Sequence, residues 1–324
     1  MKPLVSIIIP TMDNYWYVKN CLDSIGLFTP KIYELLIVNN GHKDSLGFLG
    51  ESEKLRILKP DHNLGWQDAL NLGMKEARGD YFLFMNDDTQ IIDGDAGWLQ
   101  GMVNTFRYFD VGAVGPISNL VMGTQNMFSG IGRYPVEYET TLLIGFCMLV
   151  SRKAMEKVGE LDSGLIGGDD LDLSIRLRDA GFKLMVNRHA FVYHHGFKTG
   201  DRVYGRNGWI GDKKTDKTNI ALIRKHGIKK WYECISCLVK DIPQQTFDDL
   251  ESKIIREWLP EKGRIFEVAC GTQKTREDVV GVDKIGKDES LDWFNMRYGN
   301  EKDKSVADIK ADVESPFRDF LEEV

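Results

Sequence analysis

The chain has 324 residues and a mass of 36.9 kDa, which sets two domains as the expectation and excludes a peptide or mini-scaffold. Hydrophobic residues at 42% and charged residues at 28% provide for a sizeable core and exclude wholesale disorder, and no apolar run approaches the roughly 18 residues that a membrane helix needs. The net charge of −7 argues against general nucleic-acid binding, but it is uneven: residues 1–195 carry −6, residues 196–240 carry +7 and residues 241–324 carry −8.

The first apolar run, Leu4 to Ile9, stops at Pro10 ahead of Asp13 and Asn14, so it reads as a strand and lacks the length and cleavage site of a signal peptide. A cytoplasmic protein is the expectation, with the basic segment offering a peripheral contact to a membrane surface. A helical pattern follows from Tyr15 to Ile25, then apolar runs from Glu34 to Val38 and Leu55 to Leu58. Trp66 to Ala77 repeats at helical spacing until Gly79 and Asp80 break it, Tyr81 to Met85 is a further strand, and Trp98 to Phe109 a further helix. This alternation predicts α/β architecture with a largely parallel sheet and a site at strand C-terminal ends.

Five scattered cysteines, an odd number, suit reduced thiols better than a disulfide framework. Cys234 and Cys237 form one C-x-x-C without the second pair of a tetrahedral zinc site, and on a helix they are neighbours at i, i+3. The strand from Tyr81 delivers Asn86, Asp87 and Asp88 at its end, where two carboxylates beside an apolar strand favour a cation, and oxygen ligands of this kind suit Mg²⁺ or Mn²⁺. The alternative is an ordinary acidic turn. At Asp169, Asp170 and Asp172 the following leucines fit either a strand or a helix, and three leading acids with later Arg176 and Arg178 favour the helix.

In order along residues 3–200, the segments Val5 to Thr11, Leu36 to Gly41, Asn63-Leu64-Gly65 with Asn71, Gly79-Asp80 running into Asn86-Asp87-Asp88, Gly145-Phe146-Cys147, Val158 to Asp162, Gly168 to Asp172 with Arg176, and His194-His195-Gly196 together resemble family 2 inverting glycosyltransferases of the GT-A fold. The resemblance implies a metal-dependent transfer of a hexosyl or deoxyhexosyl group from a nucleoside diphosphate sugar, UDP- or dTDP-linked, to a hydroxyl acceptor such as a glycan or glycolipid. By position it implies nucleotide or diphosphate contacts at Thr11, Asn39, Asn86, Asp87 and Asp169, where Asn39 replaces the aspartate usual in the family. It implies Mn²⁺ or Mg²⁺ on Asp88 and His195, with His194 the fallback because adjacent strand residues face opposite sides, and a general base at Asp170. Arg202, Arg206, Lys213 and Lys214 suit a loop closing over a diphosphate. The rival readings are a sugar-nucleotide-binding protein that has lost catalysis and a glycan-recruiting module of a larger methyltransferase-containing protein.

The domain boundary is expected near Lys240, giving a transferase domain over 1–240, with a nucleotide half to about 115, an acceptor half over 116–200 and a basic extension over 201–240. Beyond it, Leu250 to Leu259 reads as a helix. Arg264 to Gly271 with Val279 to Asp283 resembles the first two strands of class I S-adenosylmethionine-dependent methyltransferases, which implies an incomplete Rossmann-like segment over 241–324.

Overall fold

The computed structural model describes residues 2–42, 45–92, 97–128, 135–196, 198, 212–239, 266–268 and 280–282. The chain divides into two units, Met1–Ile242 and Pro243–Val324. In the first, β1 (Val5–Thr11) leads through α1 (Tyr15–Phe28) to β2 (Tyr33–Asn39) and β3 (Leu55–Leu58), then through α2 (Gln67–Glu76) to β4 (Tyr81–Met85). A two-residue strand β5 (Thr89–Gln90) precedes α3 (Trp98–Thr105), β6 (Val111–Ile117), a 3₁₀ turn at Gly123–Gln125, β7 (Glu137–Thr140), β8 (Cys147–Ser151) and α4 (Arg152–Val158). Then come α5 (Asp169–Asp179), β9 (Lys183–Phe191), a second two-residue strand β10 (Tyr193–His194), α6 (Asp212–His226) and α7 (Ile228–Val239).

Eight strands form one sheet in the order β3-β2-β1-β4-β8-β6-β9-β7, and all run in one direction except β7 and β8. The α/β class and the mostly parallel sheet are as the sequence predicts. β1 is buried at every position because both sheet faces are covered. Period-two alternation sends Val5, Ile7 and Ile9 into a core shared with Val18, Cys21 and Ile25 of α1 and Trp98 and Leu99 of α3. Ile8 enters the other core, with Ala69 and Leu70 of α2, Ala154 of α4 and Leu173 of α5. Gly73 lets α2 approach this face closely, since a Cβ there would lie 2.3 Å from Ile8 Cγ2.

The apolar run from Thr141 to Val150 is not all strand. Only Cys147 onward pairs with β4 and β6, while Gly145 and Phe146 form the turn entering β8. At the opposite end of the sheet, buried Glu34 accepts from Ser6 Oγ at 2.7 Å, Arg78 N at 2.7 Å and Arg56 Nη2 at 3.1 Å, which joins β1, β2 and β3 to the segment entering β4.

In the second unit β11 (Phe266–Val268) and β12 (Val280–Val282) pair in parallel. The helix expected over Leu250–Leu259 and the remainder of the methyltransferase-like motifs lie outside the described residues.

Candidate functional site

β1, β2 and β4 are parallel neighbours, so their C-terminal ends share one edge, and there the register sets Thr11 beside Asn39. Both are buried and already bonded. Thr11 Oγ1 donates to Asp87 Oδ2 at 2.6 Å, and Asn14 Nδ2 donates to Asp87 Oδ1 at 3.2 Å, so Asp87 ties the end of β4 to β1 and the start of α1. Asn39 Oδ1 accepts Gly41 N at 3.0 Å and Ser45 Oγ at 3.3 Å while its Nδ2 donates to the His42 carbonyl at 3.0 Å, which fixes the amide's orientation.

Asn86 and Asp88 flank Asp87 at this edge. The small β5–β10 pair sets His194 opposite Thr89, one residue from Asp88. His194 Nδ1 is 3.0 Å from the Leu120 carbonyl, which assigns it the ring proton and leaves Nε2 as the acceptor facing Asn86 Nδ2 at 3.3 Å. That same Nε2 lies 3.2 Å from Asp88 Oδ1, a buried oxygen with no well-directed hydrogen bond. Asp88 Oδ2 accepts Lys198 N at 3.3 Å. Burial pushes the Asp88 carboxyl up, but the His194 ring, when protonated and donating through Nε2, and the Lys198 N–H outweigh it and hold the group below the usual carboxylate value.

His195 donates its main-chain N–H to the Asp88 carbonyl at 2.9 Å, and its ring lies edge-on to Tyr17 and Tyr193, with centroids 5.2 and 5.0 Å away. Among the described residues its buried Nε2 has no hydrogen-bond partner, and burial, opposed by Asp88, lowers the basicity of the ring. Of the two adjacent histidines, it is therefore His194, the fallback of the sequence reading, whose ring contacts the Asp88 carboxylate.

The two acids at the start of α5 reach the same region through Gly145 and Phe146. Asp170 Oδ2 accepts Gly145 N at 3.2 Å and its Oδ1 accepts Leu171 N at 2.9 Å. Next in the chain, the Phe146 carbonyl accepts Asn86 N at 2.9 Å, and the Phe146 ring stacks on His194 with centroids 5.1 Å apart. Asp169 Oδ2 accepts the indole Nε1–H of Trp66 at 3.0 Å. Neither acid caps the helix; Gly168, with φ +72°, occupies that position. Removal from water, then the charge of Asp170, pushes Asp169 up to about 7, and removal from water also raises Asp170 against the N–H groups of Gly145 and Leu171.

Asp172, fully buried one residue beyond Leu171, accepts His226 Nε2 at 2.7 Å and Arg176 Nε at 2.8 Å and lies 2.7 Å from Lys225 Nζ. Burial alone would raise this carboxyl; its partners outweigh that and hold it far below the usual range. Trp66 and the Asp172 partners on α6 are the site-shaping residues that the sequence did not single out for these roles, because their contacts span 103 and 54 positions in the chain. Arg202 and Arg206, and the side chains of Lys213 and Lys214, lie outside the described residues. Cys234 and Cys237 both lie on α7 as the spacing predicts, and burial pushes both thiols up.

Residues 6–159 match the sequence profile of Glycosyl transferase family 2. Over these residues the chain is similar to that family. The chain is 25% identical over 222 residues to the O-antigen biosynthesis protein RfbC of Myxococcus xanthus, covering 60% of this chain and 17% of that one. Of three curated relatives matched, the chain spans 24%, 17% and 31% of the length. The fold is similar to that of the mannosyltransferase PcManGT of Pyrobaculum calidifontis in complex with GDP-Man and Mn²⁺, with a TM-score of 0.52, 15% identity and coverage of 78% of this chain and 70% of that one. It is also similar to GalNAc-T7 with UDP, GalNAc and Mn²⁺, with a TM-score of 0.51, 14% identity and coverage of 59% and 44%. The fold is thus that of GT-A glycosyltransferases, as the motifs implied.

For a divalent cation, the residues present fit. Asp88 Oδ1 is buried without a well-directed bond beside an imidazole nitrogen whose ring partner is a carbonyl, the arrangement usual for a ligating histidine. Among the described residues no group of three His, Cys, Asp or Glu side chains converges as a metal cage. Mg²⁺ and similar ions at phosphate-handling sites often take only one or two protein ligands and complete their shell with substrate oxygens and water. No helix among the described residues is long and apolar enough to cross a membrane.

Proposed function

We propose that this chain transfers a sugar from a nucleoside diphosphate donor to a hydroxyl acceptor, with inversion at the anomeric carbon and dependence on Mn²⁺ or Mg²⁺. The observation that carries the reading is the bridge at Gly145 and Phe146, which bonds the acid Asp170 on one side and the Asn86–Asp88 edge with His194 on the other. Direct displacement needs a base at the acceptor and charge neutralisation at the leaving diphosphate, on opposite sides of the reacting carbon.

In this reading the donor lies across the C-terminal ends of β1, β2 and β4, with Thr11 and Asn39 on the nucleotide side and Asn86 and Asp87 on the ribose or diphosphate side. The bonds that fix the Asn39 amide leave its preference among nucleobases to shape rather than to a free carboxylate. Asp88 and His194 would hold the cation, in place of the His195 favoured by the sequence, and the cation supplies Lewis-acid neutralisation of the departing diphosphate. Asp170, its orientation set by two backbone N–H groups, takes the acceptor proton. A UDP- or GDP-linked donor and a glycan or glycolipid acceptor are supported by the ligands of the fold neighbours and by the O-antigen relative. The test is a thermal-shift panel of nucleotide sugars with and without Mn²⁺: stabilisation by one donor class that needs the metal supports the reading, and no shift with any donor counts against it.

A further inference from the structure

Three side chains at the start of α2 grip the segment that leads into α5. Gln67 Nε2 donates to the Leu165 carbonyl at 3.0 Å, Asn71 exchanges two bonds of 2.9 Å with the backbone of Leu161, and Trp66 Nε1 donates to Asp169 Oδ2 at 3.0 Å. The first two fix the helix against the segment, so the indole meets Asp169 in a built-in position. Beneath the acids lies a small pocket walled by Trp66, Leu70, Phe84, Met148 and Leu173. Among the described residues the indole is the one side-chain donor to Asp169, beside the acid's own main-chain N–H, whereas Asp170 accepts the N–H groups of Gly145 and Leu171.

We propose that Trp66 is a positioning residue of the transfer reaction: its indole N–H fixes Asp169 beside Asp170, and the two carboxylates work as one pair. The inference rests on the reading of Asp170 as the base. The indole bond favours the ionised form of Asp169, against removal from water and the negative charges of Asp170 and Asp172, which face it from the same helix. An Asp169 that ionises near neutral pH sets the field in which Asp170 accepts a proton, and the pair titrates as a unit.

Carboxyl ¹³C NMR titration of the full chain tests this without knowledge of the donor. In Trp66→Phe, which keeps the ring and its packing, the upper midpoint of the pair moves to higher pH by about one unit; an unmoved midpoint in a folded variant overturns the proposal. Should that variant fail to fold, the indole ¹H–¹⁵N resonance of Trp66 in the native chain answers the same question. It follows pH with the midpoint of Asp169 and loses that dependence in Asp169→Asn, and an indole signal that does not respond to pH overturns the proposal. Neither measurement involves transfer. Transfer activity that survives in Asp170→Asn would remove the base assignment while leaving the Trp66–Asp169 coupling as measured.

Discussion

The Gly145 N–H donates to Asp170 Oδ2 at 3.2 Å, one residue before the Phe146 carbonyl that accepts Asn86 N at 2.9 Å. A single turn at the entry to β8 therefore sets the spacing between a candidate base and a candidate metal edge. Because both contacts are to backbone, side-chain changes within the turn leave them in place, whereas changes at the acids themselves remove one function at a time.

Asp88→Ala is expected to abolish most Mn²⁺- or Mg²⁺-dependent transfer, because neutralising the leaving diphosphate contributes several kcal/mol in the transition state. Undiminished turnover in excess EDTA would refute metal dependence altogether.

The two histidines are separable by Mn²⁺ titration calorimetry in the presence of the nucleoside diphosphate. His194→Ala is expected to weaken the metal by about 10-fold or more, the scale of losing a ligand or its support, and His195→Ala by less. The opposite ranking would return the role to His195, whose buried Nε2 has no hydrogen-bond partner among the described residues.

Asp170→Asn should leave donor binding nearly unchanged and lower kcat by about 10² or more, since it removes the base and little of the ground-state contact. If Asp169→Asn gives that loss and Asp170→Asn does not, the roles within the pair are reversed.

Asp169 also affects stability with pH. Its folded-state value, about 7, exceeds the ordinary carboxylate value, so between the two the folded chain binds more protons and stability falls as pH rises through that window. Asp169→Asn removes the penalty. Its melting temperature should exceed that of the native chain at pH 8, by the equivalent of at least about 1 kcal/mol, and the difference should close as pH falls toward 4. A difference that is constant with pH would show that Asp169 does not titrate in this range.

Asp172 has the opposite sign. Burial raises it, but His226, Lys225 and Arg176 hold it depressed, so its contribution is present above the unfolded-state value near 4 and is lost only in strong acid. Asp172→Ala leaves Lys225, Arg176 and the His226 ring without their shared acceptor and should cost about 3–5 kcal/mol in urea denaturation. A loss within experimental error would mean that α6 docks on α5 without this cluster.

The sequence by itself determined the α/β alternation and the mostly parallel sheet, and it put the candidate site residues at the ends of strands and at the start of a helix. Strand Leu4–Ile9 is legible because a doubly covered strand must be apolar throughout, and the acids Asp87 and Asp88, and Asp169, Asp170 and Asp172, stand out because carboxylates rarely close an apolar strand or open a helix without a reason. It also determined that only one of two consecutive histidines could turn its ring toward Asp88. Which one does so was decided by tertiary structure: the Leu120 carbonyl anchors His194 Nδ1, while Tyr17 and Tyr193 hold the ring of His195. The antiparallel insertion of β8, the hold of Trp66 on Asp169 and the closure of α6 on Asp172 were likewise settled only in three dimensions. Each joins residues far apart in the chain, and side-chain periodicity carries information about the face a residue occupies but none about the distant group that meets it there.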